Sequence, residues 1–239
     1  MKLKIMYILF SIFFVTSALY SADLSVGITG WYAGWKMERQ KDGITANMDE
    51  ILYIGPSIAY QFSDKWSTTL VALATPQKYT WDANEVMELR RYDIDLALNY
   101  QISRYIKVFG GAKYLAFSYH NKTNDSDGIH HAAGPGAGIS FTLPLISNVY
   151  LLANLSGLYI FGNQKEDKQT EDTSFNFYEV GANGSLQLAY YIPSAAVTLA
   201  AGYRYQYVET YYTEDTQNNS DLEHTFKGFT FLAVKSFNL

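Results

Sequence analysis

Cysteine is absent from the 239 residues, so no disulfide staples the fold and thiol catalysis is excluded. Charge is scarce: Asp, Glu, Lys and Arg make up 17 % of the chain, against the usual quarter or so. The balance is acidic, −5 at neutral pH, which suits a nucleic-acid partner poorly because phosphates are matched by Lys and Arg. Long apolar runs are missing too. A membrane-crossing helix needs about 20 consecutive apolar residues, and nothing beyond the N-terminus approaches that without a charge or a turn residue.

What is abundant is tyrosine, 21 residues in a chain that is 16 % aromatic. A phenol ring prefers apolar surroundings and its hydroxyl prefers water, so tyrosine enrichment suits a boundary between the two. The N-terminus, MKLKIMYILFSIFFVTSALYSA, places two lysines before an apolar run from Ile5 to Val15 and ends in small residues. That is the pattern of a secretory signal peptide over 1–22, cleaved after Ser21 or Ala22. Loss of Lys2 and Lys4 takes the formal charge from −5 to −7. No lipoprotein cysteine follows.

Beyond residue 22 the dominant signal is a period of two. Tyr92–Ile102 reads YDIDLALNYQI, with Tyr92, Ile94, Leu96, Leu98, Tyr100 and Ile102 on one face and Asp93, Asp95, Ala97, Asn99 and Gln101 on the other. Such alternation marks a strand with two unlike faces. It recurs through 178–190 and 197–207, and less cleanly elsewhere. Two segments read poorly: WSTTLVALAT has no clear polar face, and FKGFTFLAVKSFNL sets Lys235 among Phe231, Phe237 and Leu239.

The connectors fall into two kinds. Long polar ones occupy Met37–Met48, Trp81–Glu88, His120–His131, Gly162–Ser174 and Tyr212–Thr225. Short ones occupy Ser63–Lys65, Ser103–Tyr105, Pro144–Asn148 and Pro193–Ala195. They interleave without exception and divide the mature chain into ten strands, or eight if the two poor segments lie outside the membrane. Short turns on one side, long loops on the other and an even strand number are the layout of an outer-membrane barrel. The polar face is also rich in small residues, Gly134, Gly136, Gly138, Gly181 and Gly202 among them, which leave room inside a narrow barrel for Trp31, Trp35, Phe109 and Phe117. The carboxylates are therefore expected to point inward and the leucines toward lipid.

With its export signal, amphipathic strands and sorted loops, the chain from about Leu24 to Leu239 resembles the small outer-membrane barrels of Gram-negative bacteria, the OmpA-like and OmpW-like group. That group's last strand usually ends in an aromatic residue. Phe237 and Leu239 approximate this, whereas Lys235 departs from it. The resemblance implies an all-β, up-and-down antiparallel transmembrane barrel over 23–239, in the bacterial outer membrane after export. It also implies contact with outer-membrane lipid, lipopolysaccharide and the barrel assembly machinery, as a monomer.

Inside such a barrel, Asp93, Asp95 and Glu179 are expected to pair with Arg91, Lys113 and Arg204, as a structural charge network or as a solute-selecting constriction. Burial demands such pairing. Histidine is confined to the long connectors (His120, His130, His131, His224). Three of the four lie near Asp125 and Asp127, in a spacing that fits no established metal site. No cofactor motif is present; the Gly-x-Gly-x-Gly at 134–138 has no helix after it. The expected function is structural, surface-exposed or narrow-pore, without catalysis. The alternatives are a rim-active hydrolase, either a protease using His224 with Glu223, Asp221, Asp82 and Glu85 or a lipid hydrolase using Ser and His, and a secreted soluble barrel binding a hydrophobic ligand.

Overall fold

Strands whose two faces differ must each find one apolar and one polar environment, and a sheet closed on itself provides both. The computed structural model describes residues 23–41, 43, 45–81, 87–122, 125–167, 173–213 and 221–238; the signal segment at 1–22 lies outside them. The elements are β1 (Asp23–Arg39), β2 (Thr45–Gln61), β3 (Trp66–Ala74), β4 (Tyr79–Trp81), β5 (Met87–Ser103), β6 (Ile106–Asn121), β7 (Ser126–Ile146), β8 (Val149–Asp167), β9 (Thr173–Ile192), β10 (Val197–Tyr212) and β11 (Leu222–Asn238). Sequence neighbours pair antiparallel from β1 to β3 and from β4 to β11. The last strand returns to the first, and β3 pairs with β5 to close the ring.

Because β3 and β4 are two pieces of one wall strand, the result is a ten-stranded up-and-down barrel. Both segments that read poorly in the sequence are part of the wall, which excludes the eight-strand alternative. The break between β3 and β4 falls at Thr75–Lys78, where Pro76 has no N–H to give to a ladder. Thr75 bridges the gap: its N–H donates to Arg91 O, and its hydroxyl accepts from Arg91 N–H, both at 3.0 Å.

The outer face carries the apolar set. Leu96 is 50 % exposed, Leu188 54 % and Phe229 69 %, and Val26, Ile28, Ile58, Leu70, Leu155 and Leu199 continue the belt. Aromatic rings edge it on both sides: Trp66 against Tyr100 at 4.8 Å toward the short turns, and Tyr203 against Phe229 at 5.7 Å toward the long loops. Tyr92 and Tyr100, eight residues apart on β5, are about 27 Å apart along the strand, or roughly 21 Å along a barrel axis tilted by about 40°. That is close to the ~25 Å apolar band of membrane barrels. Lys235 also faces outward, at the turn-side edge, with its ammonium 5.5 Å from the Phe237 ring. A long aliphatic stem lets such a lysine reach the headgroup level.

Above the loop-side girdle the pattern changes phase. On β1 the outward residues pass from Val26, Ile28 and Tyr32 to Lys36 and Glu38, while the inward ones pass from Ser25 and Thr29 to Trp31 and Trp35. On β8 Asn154 and Ser156 give way inward to Leu158 and Ile160, as Asn163 and Lys165 appear outside. The loop-side third is thus an ordinary water-exposed barrel with an apolar core. The strands consequently run further than their greasy faces: β7 begins at Ser126 and β11 at Leu222, inside stretches expected as loops.

Interior glycines allow the tight inward curvature. A Cβ on Gly111 would sit 1.9 Å from Leu96 O, and one on Gly228 equally close to Tyr32 O, so only glycine fits at those approaches.

Two measurements check this arrangement. A nitroxide at Leu96 in lipid vesicles should be relaxed by oxygen and one at Asp95 by a water-soluble nickel chelate; the reverse pattern would invert the faces. At the rim, hydrogen bonds from Lys78 (2.6 Å) and the ammonium of Lys122 (3.1 Å) hold the Glu88 carboxyl well below its ordinary 4.5, at about 2. A carboxyl so depressed keeps its ion pairs above the unfolded value and loses them as pH falls through the folded one. The carbon-13 signal of Glu88 should therefore titrate near pH 2 and move up toward 4.5 in Lys78→Gln.

Candidate functional site

Alternation along β5 puts Arg91, Asp93 and Asp95 on the inner face, and the register Asp95↔Lys113 brings the ammonium of β6 against them. Lys113 donates to Asp93 and, at 2.9 and 3.1 Å, to both oxygens of Asp95. Arg91 reaches Asp93 at 3.5 Å. Arg91 and Asp93 are almost wholly buried, at 1 % and 2 % exposure. The Arg91 guanidinium also lies over Phe226, 3.8 Å from the ring centroid, a contact that favours a cation without supplying a counter-charge. Four of the six expected network residues are thus one cluster.

The other two are placed differently. Glu179 accepts from His130 Nε2 at 3.0 Å and from the Thr210 hydroxyl at 2.9 Å, with no lysine or arginine among its partners. The His130 ring is clamped between Phe117 and Phe177, at 4.3 and 4.1 Å. Arg204 has no carboxylate within ion-pair distance among the described residues. Its Nε donates to Asn183 Oδ1 at 2.8 Å, its Nη2 to Gln206 Oε1 at 3.4 Å, and its guanidinium covers Trp31 at 4.3 Å.

These groups divide the lumen in two. Toward the loops, Trp31, Trp35, Tyr53, Leu89 and Phe226 form one buried cluster, and Leu115, Leu158, Ile160, Phe177 and Val208 a second. The barrel is plugged there. Toward the turns lies a cavity of about 890 Å³, lined by hydroxyl and amide side chains such as Ser57, Thr69, Asn99, Asn154 and Ser185, with Asp95, Lys113 and Arg204 at its inner end. Asp23, Gln61, Tyr191 and Asn238, all near turn-side strand ends, also line it. Several buried atoms around the boundary, Trp31 Nε1, Arg91 Nε, Glu179 Oε2 and Gln206 Nε2, have no hydrogen-bond partner.

Histidine reasoning from the sequence needs correcting. His130 and His224 are strand residues of the interior, 1 % and 4 % exposed, because β7 and β11 extend beyond their greasy faces. His224 Nδ1 accepts from Trp35 Nε1 at 3.2 Å. Its neighbour Glu223 points the opposite way and accepts from Gln40 at 3.1 Å, so the two cannot form a catalytic couple. Asp82 and Glu85 lie outside the described residues. His131 is a strand residue of β7 as well, and His120, near the loop end of β6, lies 3.0 Å from Asp127 and 3.9 Å from Asp125; among the described residues no group of three potential metal ligands converges. Of the inward partners of the network, Gln206 falls on the face of β10 that alternation gives it, beside Arg204, whereas His130 lies where the hydrophobic pattern of β7 inverts and reads as connector.

No family model matches the chain, and no curated protein is similar to it in sequence. Solved structures are similar in fold. The outer-membrane protease OmpT of Escherichia coli superposes with a TM-score of 0.63 at 9 % identity, covering 94 % of this chain and 100 % of that one. The translocator domain of the autotransporter NalP from Neisseria meningitidis gives 0.49 at 9 %, covering 92 % of each chain. The outer-membrane protein AlkL gives 0.47 at 12 %, covering 92 % and 90 %. The fold is that of bacterial outer-membrane β-barrels.

Removing one member of the buried cluster should be costly. Asp93→Asn leaves Arg91 and Lys113 short of a counter-charge and should lower unfolding stability in vesicles by about 3–5 kcal/mol. Asp95→Asn, whose side chain is 40 % exposed to the cavity, should cost under about 1 kcal/mol. Urea titration followed by tryptophan fluorescence compares the two.

Proposed function

We propose that the chain is a monomeric outer-membrane barrel that neither conducts solutes nor catalyses a reaction, a structural or surface-displayed protein of the bacterial envelope. It is exported by its signal segment, inserted by the barrel assembly machinery and embedded among lipid and lipopolysaccharide. The observation that carries this reading is the plug: the ring of buried side chains from Trp31 to Phe226, backed by the Arg91–Asp93–Lys113 cluster, fills the loop-side lumen.

The physical argument for membrane embedding is the outer belt. Soluble monomers rarely expose contiguous apolar patches above a few hundred Å², whereas here half-exposed leucines and tyrosines encircle the wall. In hydrocarbon, an unpaired backbone group costs several kcal/mol, which a closed ladder avoids. A soluble carrier of hydrophobic ligands is disfavoured because the open part of the interior carries the charged side chains of Asp95, Lys113 and Arg204. A rim hydrolase is disfavoured by the inward turn of His224.

Planar bilayers test the reading. The wild-type barrel should give no unitary conductance steps, while the double variant Trp35→Ala/Phe226→Ala, with two rings of the plug removed, should give small ones. Discrete steps from the wild type would sink the proposal. Recovery of the mature chain in the aqueous fraction without detergent would sink the membrane placement itself.

A further inference from the structure

The turn-side cavity ends on an excess of positive charge. The charged side chains that line it are Lys107, Lys113 and Arg204 against Asp23 and Asp95. At the inner end Lys113 is taken by Asp95 and by the buried Asp93, which Arg91 also reaches. The cation at the inner end with no carboxylate within ion-pair distance, among the described residues, is Arg204.

Arg204 is also the member of the group that is held ready. Asn183 fixes its Nε, and Asn183 is itself oriented by donating to Ser156 Oγ at 3.5 Å. Trp31 supports one face of the guanidinium and Gln206 takes Nη2. The ladder neighbours on either side are Ser185 and Gly228, small enough to leave the fork uncovered toward the cavity it lines. A planar guanidinium presents donors in the geometry of a carboxylate and is more weakly hydrated than an ammonium. At the end of a recess walled by protein, such a charge is screened less than it would be in bulk water.

We propose that this cavity is a binding site for a small hydrophilic carboxylate entering from the turn side, with Arg204 as the group that takes the carboxylate. The single surplus charge matches a monoanion; a phosphate dianion would leave the recess negative. Its volume, about 890 Å³, falls within the range of small-molecule sites, roughly 300–1,000 Å³. Hydroxyl and amide side chains such as Ser57, Thr69, Asn99, Asn154 and Ser185 stand along its wall beside Phe109 and Leu158, so the rest of the ligand is polyhydroxylated or amide-bearing. A sugar acid has this chemistry. Entry from the loop side is blocked by the plug, so binding and passage are separate properties.

Sodium gluconate is the probe, with sorbitol as the uncharged polyol and sodium chloride as the ionic control, added to the refolded full-length mature barrel in micelles. Gluconate should shift the nitrogen-15 resonance of Arg204 Nε–H saturably, with half-saturation in the millimolar range, and neither control should reproduce it. In titration calorimetry Arg204→Met should weaken gluconate at least tenfold, and Arg204→Lys should fall between. Should Arg204→Met fail to fold, judged by loss of heat-modifiable migration in SDS, the wild-type resonance alone decides. An Arg204 signal that does not move, or moves equally with chloride or sorbitol, overturns the site. Gluconate affinity that is unchanged in a folded Arg204→Met does the same. None of these readings depends on whether the barrel conducts.

Discussion

The constraint behind the whole structure is that a sheet in contact with hydrocarbon has to end on itself. Every N–H and C=O of an edge strand facing lipid would lack a partner at several kcal/mol each, so the pairing of β3 with β5 is a condition of the fold. It holds from Trp66↔Tyr100 to Ala74↔Tyr92, the span between the two aromatic girdles. Above Ala74 the strand breaks at a proline, and the short β4 pairs only with β5 among the described residues. The interruption lies where the outer face turns polar, so water can satisfy what the ladder leaves open. The β3–β5 seam is continuous between the girdles and is interrupted where the outer face turns polar.

Closure then dictates the interior. Ten strands enclose slightly more room than the eight whose side chains just fill a barrel, and the chain spends that room unequally. The loop-side third is filled by aromatic rings and aliphatic side chains; the turn-side part is lined by serine, threonine, asparagine and glycine and stays open. Between them the fold places buried charge. For stability alone this is a poor choice, since apolar residues of similar volume often serve as well as a buried ion pair. Polar atoms left unpartnered nearby, Arg91 Nε and Glu179 Oε2 among them, cost about 1–3 kcal/mol each. The members of that layer that face the cavity beneath it, Asp95, Lys113 and Arg204, form its inner wall.

The wall itself was legible because its signal is redundant. Tyr92–Ile102 alternates without a fault, connectors sort by length, and Lys113 and Arg204 each fall on the face that lipid does not touch. Arg91, Asp93, Asp95 and Lys113 could be placed together because one strand and its direct ladder neighbour supply all four. Glu179 and Arg204 each take one partner from the strand beyond their ladder neighbour, His130 on β7 for Glu179 on β9 and Trp31 on β1 for Arg204 on β10, besides Thr210 and Asn183 on an adjacent strand. Nothing in a period of two states which inward residues meet across a barrel. The strand ends were misjudged for another reason. Where the outer face leaves lipid, the polar and apolar sides exchange, so Lys165, Asp127 and Glu223 look like loop although they are outward strand residues. Histidines at those levels were assigned to solvent when the wall had turned them inward.

That exchange of phase also explains the difference in character between Arg91 and Arg204. Arg91 belongs to the level where the interior becomes apolar; its charge is satisfied by Asp93 and the Phe226 ring and has no route to water. Arg204 lies lower, where the inner neighbours are Ser185, Asn183 and Gly228, and its partners are neutral. Both are inward arginines on adjacent levels of one lumen, yet only the lower one keeps a charge that the protein does not neutralise. A cation in that position lowers its energy either by ordering water and small anions from the open end or by holding a ligand of its own. The rigid support from Asn183 and Trp31 distinguishes the second outcome from the first, because a guanidinium meant only to be hydrated gains nothing from being held still.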